Sequence, residues 1–175
     1  MSIINDIAQQ TINYEVYVDG ARYLGTATVD LPEVTYMTNE IAGAGIAGKV
    51  DMPTLSHIEN MEITLHWRNF FERPTHLMNQ NTFMLSLRGA MQRYDAALGI
   101  QNVYPIRIDV RCLSVTTTIG KFEPSEQTET ESKFNIDYIK IMVGGAKVFE
   151  HDKFNYIHEV EGVDYLAPVR SALGL

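Results

Sequence analysis

The most regular feature of this chain is an alternation of apolar and polar residues with a period of two. In the segment MEITLHWR, residues 61–68, every second position is apolar: Met61, Ile63, Leu65 and Trp67. The segments 24–31, 83–91 and 104–112 alternate in the same way. A period of two places the apolar residues on one face of a β-strand. The pattern therefore predicts several strands, each with one buried face.

Two glycine-containing dipeptides separate some of these segments and predict tight turns. Asp19-Gly20 lies between YEVYV and RYLGTATV, and Gly144-Gly145 lies between FNIDYIKIMV and AKVFEHD. Two-residue turns of this composition join antiparallel strands into hairpins. No helical pattern of about 10–15 residues alternates with the strands, which argues against a parallel sheet. About seven strands in such a chain bury their faces best as an antiparallel β-barrel or β-sandwich, so we predict a mainly β fold.

Helices are predicted at only two places. Residues 69–80 fit a short helix after Pro74, and residues 163–174 fit a terminal one with Asp164 as its cap and Gly174 as its stop. A chain of 175 residues suffices for one core and contains no linker, so we expect a single domain over residues 1–175. We expect neither a signal peptide nor a membrane span, and folding in a cytoplasm.

Composition narrows the possible partners and chemistry. The net charge is −8, which disfavours a surface that grips nucleic acid. Cys112, the single cysteine, lies in an alternating segment and is interpreted as a buried structural thiol. The histidines show no metal-binding spacing, and we expect them to be scattered over the surface: His57, His66, His76, His151 and His158. No catalytic group, metal site or cofactor site is predicted, so we expect that the protein is not an enzyme.

The segment NEIAGAGIAGKVD, residues 39–51, contains two motifs associated with nucleotide binding. Gly43, Gly45 and Gly48 fit GxGxxG, and residues 43–49 fit most of a P-loop. The first motif needs a following helix, which Gly48 and Pro53 would interrupt. The second needs Ser or Thr at position 50, where valine cannot bind magnesium. We therefore interpret the glycines as a flexible, partly apolar loop that contacts protein.

The segment FEPSEQTETESK, residues 122–133, is acidic and has no apolar periodicity. Two interpretations remain open for it. It is either a solvated, mobile loop or a segment that becomes ordered against a partner.

Three stretches of the chain carry a resemblance to a known family. IAGAGIAGKVDMPTLSHIENMEITLHWR, RGAMQRYDAALG and KVFEHDKFNYIHEVEGVDYLAPVRSALGL resemble, in this order, the major tail tube proteins of contractile (P2-like) phage tails. Tube proteins of R-type bacteriocins belong to the same family. Lys49 stands where that family's pattern has an acid, and His151 stands where an apolar residue is expected.

The resemblance implies a structural subunit that forms hexameric rings stacked into the hollow inner tube of a contractile tail. It also implies contacts with the tail sheath, tape-measure, baseplate and tail terminator proteins, and assembly in the bacterial host cytoplasm into the virion tail. DNA would pass through the lumen without specific binding, and no membrane insertion is implied. The assembly residues expected on this basis are Gly43, Gly45, Gly48, Asp51 and Pro53 in the glycine segment, and Asp152, Asn155, Asp164, Tyr165 and Arg170 near the C-terminus. Asp164 and Arg170 could instead form only a local ion pair.

Two other classes of function remain open from the residues alone. A monomeric ligand-binding β-barrel would enclose an apolar pocket and need no partner. A nucleotide-dependent enzyme would use the glycine segment.

Overall fold

Strands account for most of the computed structural model, which describes residues 6–18, 20, 22–23, 27–68, 70 and 75–175. Over those residues the strands are β1 (Asp6–Val18), β2 (Arg22–Tyr23), β3 (Ala27–Asp30), β4 (Tyr36–Ala42), β5 (Lys49–Ile58), β6 (Met61–Trp67), β7 (Thr82–Asp95), β8 (Ile100–Thr118), β9 (Thr130–Val143), β10 (Ala146–Asp152), β11 (Ile157–Val160) and β12 (Val163–Asp164). One helix, α1 (Ala167–Leu173), follows them. The mainly β, antiparallel prediction is confirmed, although the strands are more numerous than expected.

A single antiparallel sheet contains ten of these strands. Its order is β12-β11-β10-β9-β8-β7-β1-β2. The long strand β9 is a branch point, because its first half pairs with β6 and its second half pairs with β10. The strand β3 pairs with the free side of β6. The strands β4 and β5 form a separate two-stranded sheet.

The core lies inside the curl of the large sheet. The buried apolar residues of β6 are those that the period-two pattern predicted, each at most 2% exposed. They form one cluster with Val16 of β1, Leu85 of β7, Val110 of β8 and Phe134 of β9. Strands far apart in the sheet order thus share one core, which requires the sheet to fold over on itself. Cys112 belongs to this cluster and is fully buried, as predicted.

The predicted turns differ in how closely they match the structure. Val143 pairs with Ala146, so Gly144-Gly145 is a two-residue turn as predicted. Both glycines have positive φ, 59° and 87°, as a type I′ turn requires. In the first hairpin Val18 pairs with Arg22, which leaves three residues between the strands instead of two. Residues 19, 21 and 24–26 lie outside the described part, so the turn at Asp19-Gly20 is not described further.

The terminal helix is shorter than predicted and begins without the expected cap. It covers Ala167–Leu173 and ends at Gly174, whose left-handed φ of 78° confirms the predicted stop. Its N-cap is Leu166, and Asp164, three residues before the helix, instead accepts a hydrogen bond from the Leu166 N–H. In the other predicted helix, Thr75 and His76 are helical, while residues 69 and 71–74 lie outside the described part. No helix among the described residues has the length and apolar character needed to cross a membrane.

Candidate functional site

The glycine segment lies at the tip of a projecting hairpin, here called the arm (residues 36–58). The arm consists of β4, a loop over residues 43–48, and β5. Every residue of β4, and every residue of β5 up to Leu55, is exposed. A two-stranded hairpin with no cover is only marginally stable by itself. Among the described residues, the outer part of the arm therefore has no cover from the rest of the subunit.

The two faces of the arm differ in character. Ile41 pairs with Val50, and Met52 lies two residues further along the same face. These three side chains remain 41%, 49% and 52% exposed. The opposite face carries Glu40 and Lys49, whose charged atoms lie 2.8 Å apart, together with Asp51. The arm is thus amphipathic, with an uncovered apolar face.

The glycines give the tip of the arm its turn and do not begin a helix. Gly45 has a φ of 96° and Gly48 a φ of 132°, conformations that favour glycine. A Cβ added at Gly43, Gly45 or Gly48 would meet no atom within 4 Å. The chain enters strand β5 at Lys49, where both nucleotide motifs need a helix. Asp51 and Pro53 follow in that strand, opposite Glu40 and Thr38.

A second exposed element is a ribbon formed by β1, β7 and the first part of β8. Here β1 pairs with β7 from Asp6, and β7 pairs with β8 from Ile100. The edge of β8 that faces away from β7 pairs with β9 only from Ile106 onward. The edge of β1 that faces away from β7 pairs with β2 only at Tyr17 and Val18. Among the described residues, both long edges of the ribbon therefore lack a partner strand.

The face of the ribbon that points away from the core is polar. The side chains of Gln9 and Gln92 are hydrogen-bonded there at 2.6 Å. Arg88 and Arg107 are paired across β7 and β8 on the same face, and Arg107 donates to Asp109 at 2.9 Å. Amides and charges of both signs thus share this face with Val103, which is opposite Gln92 and 64% exposed, so the net charge of −8 is not concentrated on it.

Two of the predicted C-terminal assembly residues, Asp152 and Asn155, shape a turn within the chain. The carboxylate of Asp152 accepts hydrogen bonds from the N–H groups of Phe154 and Asn155 at 3.0 and 2.9 Å. Its second oxygen accepts from the Asn155 side chain at 2.7 Å and lies 3.5 Å from Arg111. Burial would raise the pKa of Asp152, but these hydrogen bonds outweigh it and lower the pKa. The buried Asp152 is therefore occupied by intramolecular contacts.

The other three C-terminal candidates lie around helix α1. Arg170 donates to Asp164 at 2.6 Å and to the Tyr156 carbonyl at 2.6 Å. The hydrogen bond from Arg170 is the main cause of the lowered pKa of Asp164. The local ion pair anticipated from the sequence is thus present. Tyr165 remains 47% exposed beside this pair and is available to a partner.

Two histidines that the sequence placed on the surface are buried together. His151 and His158 are directly paired on β10 and β11 and are 3% and 2% exposed. Their Nδ1 atoms lie 3.2 Å apart, and Nε2 of His158 lies 3.3 Å from the Tyr36 hydroxyl at the base of the arm. The prediction of surface positions was wrong for this pair. Two-residue alternation with Phe149 and Val160 is the signal that could have identified the pair as buried.

Burial also sets the protonation of this pair. It lowers the pKa of His151 to about 4, with further contributions from His158 and Lys153 and an opposing one from Asp152. It lowers the pKa of His158 as well, against the attraction of Asp164. Both imidazoles are therefore neutral near pH 7.

The acidic segment is shorter than the sequence indicated. Strand β9 begins at Thr130, so Glu131 and Lys133 belong to a strand in which Lys133 contacts Glu62 at 2.6 Å. Thr128 holds the end of the remaining loop, because its carbonyl accepts from the Lys121 N–H at 3.0 Å. Phe122 within this loop is 91% exposed.

Among the described residues, no three His, Cys, Asp or Glu side chains come together in a way that could hold a metal ion. The arrangement offers two uncovered surfaces, the apolar face of the arm and the open edges of the ribbon.

Comparison with known proteins gives consistent matches over most of the chain. A family model described as "Phage tail tube protein FII" matches residues 8–174. The tail tube protein of Escherichia phage P2 is 24% identical over 167 residues, which cover 91% of this chain and 94% of that protein. A sheath–tube complex of an extracellular contractile injection system, in its extended state, contains a chain with a similar fold. Its TM-score is 0.54 at 15% identity, over 74% of this chain and 87% of that one. The sheath/tube terminator of such a system gives a TM-score of 0.54 at 15% identity, over 75% of this chain and 94% of that one.

Proposed function

Because the chain belongs to the phage tail tube protein FII family, we propose that six copies form a ring and that stacked rings form the hollow inner tube of a contractile tail. Its relatives are structural tail tube proteins, and the chain is a tail tube protein of a contractile phage or a phage-like system. The proposed particle is either a phage tail, with the tube as the conduit for DNA, or an R-type bacteriocin. Assembly would take place in the bacterial host cytoplasm, from a subunit that is a single domain over residues 1–175.

The observation that carries the ring proposal is the pair of open edges on the ribbon. Both β1 and β8 run antiparallel to β7, so they run parallel to each other. Rotation about a ring axis leaves the component of each strand direction along that axis unchanged in all copies. The β8 edge of one subunit can therefore meet the β1 edge of the next as a parallel pair. Repetition of this heterologous contact closes a ring and leaves no edge exposed.

The arm supplies a second contact in this proposal. Its apolar face would be covered by a neighbouring subunit, either in the same ring or in the next ring. Ile46 at the tip is 41% exposed and extends the apolar surface to the glycine loop. Of the predicted assembly residues, Gly43, Gly45 and Gly48 lie at the tip of the arm and Tyr165 is exposed near its base. Asp51 and Pro53 lie in β5 on the opposite face of the arm, outside the proposed apolar contact. Asp152, Asn155, Asp164 and Arg170 would act indirectly, by shaping the C-terminal segment.

The ribbon face that points away from the core is the proposed wall of the lumen. Its amides and its balanced charges offer no concentrated positive field to phosphate groups, so DNA could pass without binding. The outer side of the tube would contact the tail sheath, and the tube would also meet the tape-measure, baseplate and tail terminator proteins. The sheath–tube complex with a similar fold supports a sheath partner.

Crosslinking between ribbon edges tests the ring. Gln9 on β1 and Val103 on β8 lie at the same level of the ribbon. Gln9 is hydrogen-bonded to Gln92 of β7, and Val103 is paired opposite Gln92. Oxidation of the double variant Gln9→Cys and Val103→Cys should give a ladder of disulfide-linked oligomers that ends at six, because the two cysteines of one subunit are separated by β7 and lie too far apart for a disulfide. The buried Cys112 does not interfere, and the two single variants are controls that cannot extend beyond dimers. A ladder with another end point would correct the ring number, and the absence of any ladder would contradict edge pairing.

A further inference from the structure

A line of three polar side chains connects the base of the arm to the body of the subunit. Tyr36 is the first residue of the arm, and its hydroxyl lies 3.3 Å from Nε2 of His158. The two rings also meet edge to face, with centroids 5.8 Å apart. The other nitrogen of His158, Nδ1, lies 3.2 Å from Nδ1 of His151. The buried imidazole of His158 thus contacts the arm, and the imidazole of His151 contacts His158.

The second strand of the arm reaches the same place. Ser56 and Ile58, near the end of β5, are each 7% exposed, in contrast to the rest of that strand. They line a cavity of about 180 Å³ together with His151. Both strands of the arm therefore end against the histidine pair, whereas the outer part of the arm is uncovered.

Hydrogen bonding along this line depends on the pair remaining neutral. A contact between two Nδ1 atoms needs one N–H group and one lone pair. If Tyr36 donates to His158, then His158 must donate to His151; if Tyr36 accepts, the direction is reversed. Nε2 of His151 is buried and has no hydrogen-bond partner among the described residues. A first additional proton therefore places a charge on a poorly solvated ring, and a second places two N–H groups face to face.

We propose that Tyr36, His158 and His151 form a latch that fixes the orientation of the arm, and that protonation of the histidines in mild acid releases the arm. The latch itself is a property of the free subunit. Its consequence, that subunits assemble only while the arm is held, rests on the proposed tube function. The titratable and charged groups that face the pair are Asp152, Lys153 and Tyr156 from β10 and its turn, Asp164 and Tyr165 from the C-terminal segment, and Tyr36 and His57 from the arm.

The orientation of the arm can be measured by the distance between two spin labels on the free subunit. Ala47 at the tip and Ser171 on α1 are both exposed, and Cys112 is buried and will not be labelled. At a concentration too low for assembly, the distance distribution should be narrow at pH 7.5 and broad at pH 5. Circular dichroism should show that the β-sheet is intact at both pH values.

Variants separate the latch from general effects of acid. Tyr36→Phe keeps the ring but removes the hydroxyl, and should favour the released arm about fivefold, the factor for a net hydrogen bond of about 1 kcal/mol. At pH 7.5 its small released fraction should be about five times that of the unmodified protein, and its distribution should broaden at a higher pH. His76→Gln, at an exposed histidine outside the arm, should behave like the unmodified protein.

Three results would overturn the latch: a width that does not change with pH, a Tyr36→Phe variant that broadens at the same pH as the unmodified protein, or loss of the whole sheet together with the arm at pH 5. Because the labels are read in the free subunit, failure to form tubes would count against the proposed function and not against the latch.

Discussion

Replacing Met52 by lysine should prevent tube assembly while leaving the subunit folded. Met52 lies on the apolar face of the arm and is 52% exposed, outside the buried core. Substitutions at such positions usually change the free energy of unfolding by less than about 0.5 kcal/mol. The melting temperature of the variant subunit should therefore stay close to that of the unmodified protein.

The effect on assembly should be much larger. Full burial of a methionine side chain is worth about 1.5–3 kcal/mol, and roughly half of this remains to be gained when a neighbour covers the exposed half. Loss of about 1 kcal/mol per contact weakens each contact by a factor of about five. An ammonium group in the same place adds a desolvation cost of several kcal/mol. The critical concentration for tubes should thus rise by at least about tenfold.

Sedimentation at increasing protein concentration measures this threshold, and thermal unfolding of the dilute subunit measures stability. Thr38→Lys is the matched control, because Thr38 is exposed and lies opposite Pro53 on the other face of the arm. It should assemble at nearly the normal threshold. Tubes of Met52→Lys at an unchanged threshold would refute the reasoning that the apolar face is an interface.

Three further predictions concern other positions. Gly45→Val should cost about 1–2 kcal/mol in backbone strain at a φ of 96° yet leave the monomer folded, and electron microscopy should find no tubes; normal tubes would count against a contact at the tip. Because the folded-state pKa of His151 is about 4 and an unfolded histidine has about 6.5, the unfolded chain binds the extra proton between these values, so His151 alone should lower stability by about 2 kcal/mol from pH 7 to pH 5. His158, whose pKa is also lowered by burial, adds to this fall, so His151→Phe should show a shallower pH dependence in urea titrations, and an unchanged slope would rule out His151 as a source. Gly120→Ala should destabilise the loop after β8, because its Cβ would lie 1.7 Å from the Thr128 carbonyl oxygen; unchanged proteolysis of residues 119–129 would show that the loop adapts.

The strands with one buried face were predictable from local sequence. The alternation in residues 61–67 coincides with β6, and Gly144-Gly145 supplies a turn whose φ values only glycine adopts readily. Both features depend on residues that are close in the chain. The stop of the last helix at Gly174 was predictable for the same reason.

The features that the sequence did not reveal depend on contacts between distant segments. His158 is buried because β11 pairs with β10 and because Tyr36, 122 residues earlier, lies against it. The end of the acidic segment was misplaced because Glu131 and Lys133 join β9 through pairing with β6 and β8. Charge in the sequence indicated solvent exposure, but a strand can carry charges on its outer face.

The candidate site was predicted in part. The glycine segment was expected to contact protein, and the structure places it on an uncovered arm; that it meets a neighbouring subunit stays a prediction. The C-terminal residues were identified by resemblance alone; Asp152 and Arg170 make contacts within the subunit, and their part in assembly stays a prediction. The open edges of the ribbon could not be predicted, because strand pairing is a long-range property and the local sequence does not show which strand edges stay without a partner among the described residues.

Negative-stain electron microscopy of the purified protein at increasing concentration tests the central claim most directly. The account predicts rings with a central pore that stack into hollow rods as the concentration rises. Dispersed particles without a pore at every concentration, including after addition of preformed tail baseplates, would contradict it.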